Sequence, residues 1–331
     1  MTRRAIDLGY GWTKFSTGDV SRTDERMDVQ VDAFQSVPFP KPVFVDTTGM
    51  ARGPRLWQVR VDGFDYCVSD APAMVAPSAL HRVRGENYVT TSQYEVCMAA
   101  AVKAMAVTRL DVLVVGTPVG NYEQARAALV ERFDQGISFD ERRVEIGSLR
   151  VIVQPVGGLI WHFLSTQRAR AIEGVDRLLV DVGYGTLDWV VAKGLVVNPS
   201  CSGSASYGVS SFLDDAYREV RGGAPGIEQG STLMEGLDRL LVRGNELFYR
   251  GRTWQRHDFA VIVEAKAQQA VQLILSKVGD TGTLRSVVLM GGGAPLLQSA
   301  LAKALKPIDV EVIANARYAN IKGFQAIAQR P

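Results

Sequence analysis

Two short turns of nearly the same composition lie far apart in this sequence and carry the residues best suited to chemistry. Asp7–Gly11 reads Asp-Leu-Gly-Tyr-Gly, and Asp181–Gly185 reads Asp-Val-Gly-Tyr-Gly. In each, a strand-like run ends in aspartate, glycines reverse the chain, and an extended segment follows, as in a β-hairpin. Successive backbone amides in such a turn form a concavity that binds anions, and glycines leave those amides unobstructed. The pair predicts two hairpins that hold a polyphosphate from both sides.

The side chains around these turns predict binding and hydrolysis of ATP with Mg²⁺. Asp7 and Asp181 are expected to hold Mg²⁺ through its waters, because Mg²⁺ dehydrates reluctantly. Lys14 can neutralise phosphate charge, and Asp188 can orient water or the metal. Gln154 either orients the attacking water, as glutamine does in other phosphoryl-transfer sites, or only begins a helix. The hairpin residues predicted to contact ATP or ADP are Gly9, Tyr10, Gly11, Trp12, Thr13, Lys14, Gly183, Tyr184, Gly185 and Thr186.

A third glycine-rich turn predicts the site of the adenosine. It follows a buried strand and precedes a helix-like segment, so backbone can approach a base or ribose closely. The turn consists of Gly291, Gly292, Gly293 and Ala294. The corresponding turn in the first half has one glycine only, Gly116, which predicts a single nucleotide with its base held by the second half. Further predicted contacts are Gly208, Tyr318 and Glu264, although a solvated position on its helix is the alternative for Glu264.

Alternating strand and helix patterns predict an α/β protein built by duplication. Apolar runs closed by glycine, such as Leu110–Val115 and Ser286–Met290, alternate with helical segments such as Tyr94–Thr108. Val115-Gly116 matches Met290-Gly291, just as the two aspartate turns match, so the repeat has the length of a domain. We therefore expect two lobes of the same topology that face each other across a cleft.

The bulk composition argues against several classes of protein. The net charge is +2, from 37 basic and 35 acidic residues, so neither direct contact with nucleic acid nor a membrane is expected. Three separated cysteines predict reduced thiols, and the N-terminal residues lack the apolar run of a signal peptide, so we expect a cytoplasmic protein. The P-loop pattern is absent, and neither Gly-Tyr-Gly turn completes the GxGxxG pattern of dinucleotide-binding folds.

The order of these motifs resembles that of the actin-like ATPase superfamily, shared with seventy-kilodalton heat-shock chaperones and sugar kinases. The two phosphate hairpins of that family correspond to Asp7–Lys14 and Asp181–Asp188. The adenosine motif corresponds to Gly291–Ala294. The two connecting helices correspond to a segment beginning at Gln154 and to Tyr318–Phe324. All five motifs occur, and together they span nearly the whole length of the chain.

Within the superfamily the chain is most similar to the ParM/StbA plasmid-segregation actins, and among these to the ParM-like D proteins of PRTRC plasmid systems. The motifs VVLMGGGAPLL and ARYANIKGFQAI carry the first resemblance, and RRAIDLGYGWTKF with LLVDVGYGTLDW carries the second. The resemblance implies an actin-like fold, in which two duplicated RNase H-like lobes surround a central nucleotide cleft. Lobe I would comprise residues 1–155 plus 316–331, and lobe II residues 156–315. Less regular stretches at about 35–85 and 200–254 read as a subdomain inserted in each lobe.

The resemblance implies an ATPase that polymerises head to tail into filaments whose stability depends on ATP binding and hydrolysis. A DNA-bound adaptor protein of a plasmid partition system is the implied partner. Gln154 departs from the glutamate that ParM-type proteins usually have at this position, whereas eukaryotic actin has glutamine. Two alternatives remain open: a small-molecule kinase of the sugar-kinase type, and a scaffold that binds ATP without turnover.

Overall fold

Strands and helices alternate along the chain, whose computed structural model describes residues 1–22, 27–41, 53–76, 82–83, 85, 87–166, 175–222 and 232–330. The strands are β1 (Arg3–Leu8), β2 (Trp12–Arg22), β3 (Met27–Gln35), β4 (Phe39–Pro40), β5 (Leu56–Val61), β6 (Phe64–Ser69), β7 (Arg109–Leu110), β8 (Val112–Thr117), β9 (Ile137–Phe139), β10 (Arg142–Ile146), β11 (Leu149–Val153), β12 (Asp176–Val182), β13 (Leu187–Lys193), β14 (Val196–Ala205), β15 (Leu247–Tyr249), β16 (Arg252–Trp254), β17 (Leu284–Met290) and β18 (Asp309–Val312). The helices are α1 (Pro72–Val75), α2 (Ser92–Ala104), α3 (Tyr122–Phe133), α4 (Gln154–Ser165), α5 (Val209–Val220), α6 (Thr232–Arg243), α7 (Ala260–Val278), α8 (Ala294–Ala304) and α9 (Ala319–Ala328).

Two five-stranded sheets of identical topology form the framework. Their strand orders are β3-β2-β1-β8-β11 and β14-β13-β12-β17-β18. In each sheet the first three strands form an antiparallel meander. Two later strands then add in parallel on the other side of the first strand. The predicted α/β class and the duplication into two RNase H-like lobes are therefore confirmed.

The register of the two aspartate hairpins places the repeated residues at equivalent positions. Asp7 pairs with Lys14 across β1 and β2, and Asp181 pairs with Asp188 across β12 and β13. Both aspartates lie near the end of the central strand of their sheet. A central strand cannot slip without breaking the ladders on both sides, so these positions are held firmly.

Two helices cross between the lobes, and each packs on the sheet of the lobe that it enters. α4 begins at Gln154, directly after the first sheet, and Leu159 joins Leu179 of the second sheet in one buried cluster. α9 returns to the first sheet, where Phe324 and Val114 share another buried cluster. This exchange of helices supports the lobe boundaries at 1–155 plus 316–331 and at 156–315, which stay a prediction.

α4 and α9 cross where glycines let the two backbones touch. A Cβ on Gly323 would overlap the carbonyl oxygen of Gly157. A Cβ on Gly158 would overlap Met290 Sδ, and Phe324 occupies the space beside Gly157. The point at which the lobes are joined is therefore fixed by the absence of side chains on both helices.

Both predicted insertions contain regular structure. In the first, β4, β6 and β5 form a three-stranded sheet that precedes α1. The second contains α5, α6 and the hairpin of β15 and β16. Residues 42–52, 77–81 and 84 of the first insertion and 223–231 of the second lie outside the described residues.

Two expected elements have different boundaries in the structure. The helix expected at Tyr94–Thr108 ends at Ala104, because Met105 caps it and Ala106 adopts a positive φ of 53°. The strand expected at Leu110–Val115 is split at Asp111, whose carboxylate accepts a hydrogen bond from the Thr2 N–H at 2.6 Å. Because the residues on both sides of Asp111 are apolar, the sequence pattern predicts one continuous strand.

Candidate functional site

The aspartate turns of both lobes open into one cleft between the two sheets. A cavity of about 450 Å³ lies there, and its walls come from both hairpins, the turn after β17, and the starts of α4 and α9. In α/β proteins such clefts form where the carboxyl ends of strands meet. The residues predicted from the sequence that line it are Asp7, Gly9, Tyr10, Gly11, Trp12, Lys14, Gln154, Asp181, Gly183, Tyr184, Thr186, Gly291, Gly292 and Tyr318.

The tips of the two hairpins contact each other through matching residues. A Cβ on Gly11 would lie 2.5 Å from Tyr184 Cβ, and a Cβ on Gly185 would lie 2.8 Å from Tyr10 Cδ2. The tyrosine of each hairpin thus packs on the last glycine of the other, in a reciprocal contact like that of a two-fold interface. A side chain at either glycine would push the tips apart, which explains why both turns contain Gly-Tyr-Gly.

Asp7 is buried, and two donors hold its carboxylate. Lys14 Nζ lies 2.6 Å from Oδ2, and Gln154 Nε2 donates to Oδ1 at 2.8 Å. Because a carboxylate only accepts hydrogen bonds, this contact fixes the orientation of the Gln154 amide, with Oε1 directed away from Asp7. Lys14 therefore neutralises Asp7 in this structure, and Asp7 in turn orients Gln154.

Asp181 is also buried, and a single asparagine connects it to the crossing helices. Asn320 Nδ2 donates to Asp181 Oδ2 at 2.6 Å, and Asn320 Oδ1 accepts from the Gly158 N–H at 3.1 Å. Burial, together with the negative charges of Asp188 and Asp7, raises the pKa of Asp181 to about 7. The second hairpin thus carries a carboxyl group that is close to half protonated at neutral pH.

Polar contacts join the two lobes at the mouth of the cleft. Gln35 Nε2, at the end of β3, donates to Glu235 Oε1 of α6 at 2.9 Å. Arg82 donates to the Gly11 carbonyl at 3.0 Å and to Gln35 Oε1, and its guanidinium lies 4.7 Å from the centroid of the Tyr184 ring. The lobes are therefore held together at the mouth as well as at the helix crossing.

Two models of known protein families match this chain. The N-terminal domain model of actin-like proteins matches residues 5–157, and the C-terminal domain model of the archaeal MreB-like actin homologue matches residues 179–303. The chain belongs to the actin-like ATPase superfamily. The two matches follow the two lobes, and the first match ends within α4, so that most of this helix lies between them.

Solved structures agree with this actin-like fold. The chain is similar to the archaeal actin homologue Ta0583 in complex with ADP, at a TM-score of 0.75 and 19% identity, with 100% of both chains covered. It is similar to a non-polymerisable quadruple mutant of pCBH ParM, at a TM-score of 0.74 and 21% identity, with 98% of both chains covered. It is also similar to a 15-stranded ParM filament from Clostridium botulinum, at 0.73 and 20%, with 99% of both covered. No curated protein sequence matches the chain.

Two predicted side chains lie behind the wall of the actin-like cleft instead of lining it. Thr13 is fully buried, with Oγ1 2.9 Å from Ser36 Oγ. Asp188 is buried as well and accepts a hydrogen bond from the Val119 N–H of the first lobe at 2.9 Å. Burial raises the pKa of Asp188, although hydrogen bonds from neighbouring residues oppose this effect. Asp188 thus joins the lobes, and its predicted role in orienting water or metal is not supported by its position.

Three further predicted contacts belong to the packing beneath the cleft. Gly208 precedes α5, and a Cβ there would lie 2.5 Å from the Tyr184 carbonyl oxygen. Gly293 faces Val182, and Ala294 is fully buried at the start of α8. The missing or small side chains let α5 and α8 approach the turns closely, so these residues shape the wall that the nucleotide would contact.

Glu264 lies apart from the cleft, so its predicted contact with a ribose is not supported. It is exposed on α7, accepts a hydrogen bond from Gln268 Nε2 at 3.3 Å, and lines a different cavity, between α7 and α8. The actin-like cleft is bordered by α6 and not by α7, through Asp238 and Arg243. Helical periodicity shows which side of a helix is apolar, but not which helix borders the cleft.

Other cleft residues were missed from the sequence. Arg317 lines the cleft and stacks over Trp12, with 3.8 Å from its guanidinium carbon to the ring centroid. Tyr94 also lines the cleft, close enough to Asp7 to be affected by its negative charge. Asn320 and Arg317 had a signal, since both lie in the motif ARYANIKGFQAI quoted above, whereas Tyr94 had none.

The donor set in the cleft fits Mg²⁺ that retains most of its waters. Asp7 and Asp181 line the cavity from opposite lobes. Nowhere in the described part of the chain do three or more His, Cys, Asp or Glu side chains cluster as a metal site would require. Mg²⁺ is usually bound by one or two carboxylates plus substrate phosphates, so two aspartates suffice when a nucleotide is bound.

Every helix within the described ranges is too short or too polar to cross a membrane.

The buried Asp181 predicts an unusual dependence of stability on pH. Its pKa rises from the ordinary 3.8 to about 7, so the folded chain keeps a proton that the unfolded chain releases. The contribution of this group to stability is therefore full below pH 3.8 and is lost as pH rises towards about 7. The loss is on the order of 2–4 kcal/mol. Asp181→Asn should remove it, giving a variant that gains stability over the wild type as pH rises from about 4 to 8.

Chemical denaturation without nucleotide or metal, at several pH values, measures this difference. Asp176→Asn, at the start of the same strand and away from the cleft, is the control and should follow the wild-type profile. Parallel pH profiles for wild type and Asp181→Asn would contradict the prediction.

Proposed function

We propose that this chain binds Mg-ATP in the actin-like cleft and hydrolyses it. The observation that carries the proposal is the pair of matching hairpins, whose aspartates Asp7 and Asp181 line one cavity from opposite lobes. Backbone amides of both turns can surround the phosphates. The third glycine turn supports a place for the adenosine, because Gly291 has a φ of +84° and its neighbour Gly292 has open space beside it.

The charge pairs in the cleft favour an exchange of partners when a nucleotide binds. Lys14 is paired with Asp7 at 2.6 Å in this structure. Phosphate oxygens attract the Lys14 ammonium while a cation attracts the Asp7 carboxylate, so both charges stay compensated. Bound Mg²⁺ would neutralise charge on the phosphate oxygens and stabilise the transition state. Asp181 loses its proton beside a cation, because a nearby positive charge favours the ionised carboxylate.

In this proposal Gln154 would orient the attacking water. Its Nε2 is held by Asp7, so its Oε1 can accept a hydrogen bond from a water in the cleft. Attack of this water forms a bond to the terminal phosphorus, the bond to the oxygen of ADP breaks, and both protons of the water leave on the phosphate as dihydrogen phosphate. An amide cannot take up either proton, so we expect catalysis by positioning and not by general-base action.

We further propose that the chain assembles head to tail into filaments in the presence of ATP. Its similarity to a ParM filament supports this, and a heterologous contact that does not close gives an open filament. By the same resemblance, the filaments would segregate plasmid DNA in the cytoplasm through a DNA-bound adaptor protein. A net charge of +2 suits a motor that does not bind DNA itself.

Light scattering and pelleting with Mg-ATP, Mg-ADP and no nucleotide, alongside phosphate release, test both parts. We expect phosphate release, and pelleting with Mg-ATP that declines as ATP is consumed. Phosphate release without pelleting would contradict the proposed assembly into filaments. Transfer of phosphate to a small molecule would favour a kinase, and binding without release would favour a scaffold.

A further inference from the structure

Tyr94 is a buried tyrosine whose ring is held rigidly beside the cleft. It lies in the first turn of α2, where its N–H donates to Thr91 Oγ1 of the N-cap at 3.2 Å. Its ring contacts Tyr88 edge-on at 5.4 Å between centroids and stacks on Phe133 at 6.4 Å. The side chain is 1% exposed, so the packing leaves its hydroxyl few positions to occupy.

The hydroxyl of Tyr94 lacks a partner in the part of the chain that the structure describes. It is buried and makes no hydrogen bond, although the residue lines the cleft. Two other tyrosines of the same lobe find acceptors: Tyr10 donates to the Gly85 carbonyl at 2.8 Å and Tyr122 to the Val151 carbonyl at 3.1 Å. The hydroxyl of Tyr88, which also lines the cleft, makes no hydrogen bond to the described residues either. A buried hydroxyl without a partner is costly and rare, and such groups usually serve a ligand, an ion or a bound water.

Tyr94 lines the cleft on the side of the first phosphate hairpin, because its ring contacts Tyr88, which in turn contacts Tyr10 of that hairpin. Burial, and after it the negative charge of Asp7, raises the Tyr94 pKa far above its ordinary value, so the group remains a neutral donor. The adenosine end, as proposed above, is formed by the second lobe through Gly291 and Gly292. First-lobe residues, among them Gln154 and Tyr94, line the other side of the same cleft.

We propose that the Tyr94 hydroxyl donates a hydrogen bond to an oxygen of the terminal phosphate of a bound nucleoside triphosphate. Tyr94 then distinguishes a triphosphate from a diphosphate, since the donor has no acceptor when that phosphate is missing. The inference rests on the proposed binding of ATP in this cleft. It adds a specificity-determining residue that lies on α2, outside the glycine turns.

Tyr94→Phe tests the inference, because it removes the hydroxyl and keeps the ring. The matched control is Tyr122→Phe, which loses a hydrogen bond in the same lobe but does not line the cleft. For each protein the affinity for a non-hydrolysable ATP analogue and for ADP is measured with Mg²⁺, together with the free energy of unfolding without nucleotide.

We expect Tyr94→Phe to weaken binding of the ATP analogue by about 10- to 100-fold, as for a lost hydrogen bond to a charged group. Its ADP affinity should match the wild type, and its stability without nucleotide should be equal or higher, because no bond within the protein is lost. Tyr122→Phe should lower stability and leave both affinities unchanged.

Equal loss of affinity for the ATP analogue and for ADP would overturn the inference, as would an unchanged preference for the triphosphate. A fall in stability like that of Tyr122→Phe would show that the hydroxyl has a structural partner, which also overturns it. If the wild type binds neither nucleotide, the proposed function itself fails and the inference fails with it. The wild-type measurement therefore separates the two failures.

Discussion

Asp181→Ala is expected to lower the rate of ATP hydrolysis by more than about 100-fold. Asp181 provides one of the two carboxylates through which the lobes would share a magnesium ion. The other aspartate of the second hairpin, Asp188, cannot replace it, because Asp188 is committed to the Val119 N–H. Loss of Asp181 also leaves Asn320 Nδ2 without its acceptor and so disturbs the link between the hairpin and the crossing helices.

Phosphate release at saturating Mg-ATP measures this effect, and nucleotide binding in the presence of a chelator shows whether the cleft is intact. Asp176→Ala is the matched control, because Asp176 lies at the other end of β12 and does not line the cleft. The control should hydrolyse ATP at the wild-type rate. Retained phosphate release in Asp181→Ala would show that Asp181 does not hold the magnesium ion.

Gly323→Ala is expected to lower the free energy of unfolding by about 3 kcal/mol or more, or to prevent folding. The new Cβ would overlap the Gly157 carbonyl oxygen, a backbone atom of the other crossing helix, which cannot rotate away. α4 and α9 would have to separate. Phe324 and Asn320, which contact Gly157 and Gly158 at the same crossing, would move with them. The effect is large because the two lobes are joined at this point.

The matched control for this prediction is Gly236→Ala, another glycine within a helix. A Cβ there would lie 2.6 Å from Leu247 Cδ1, the end of a flexible side chain that can turn aside. Because alanine favours helix over glycine by about 1 kcal/mol, we expect a change in stability close to zero or a slight gain. Denaturation of both variants in parallel measures the contrast, and similar losses in the two variants would contradict the account of the crossing.

Local features of the sequence were enough to predict the hairpins and the duplication. A strand ending in aspartate, followed by Gly-Tyr-Gly, determines its own turn, because the conformation depends on neighbouring residues only. Finding it twice, with a second matching pair at Gly116 and Gly291, predicted two equal sheets, and the strand orders agree. The burial of Thr13 could also have been predicted from the sequence. Successive residues of a strand face opposite sides, and Trp12 and Lys14 line the cleft.

The tertiary structure alone decided which residues meet across the cleft. Asn320 reaches Asp181, and Gln154 reaches Asp7, over long distances in the sequence. Such contacts depend on how α4 and α9 cross, and no local pattern encodes that geometry. For the same reason Glu264 was assigned to the cleft wrongly, and the unpaired hydroxyl of Tyr94 had no sequence signal. The aspartates and turns are local chemistry, whereas their protonation and their partners are properties of the packed lobes.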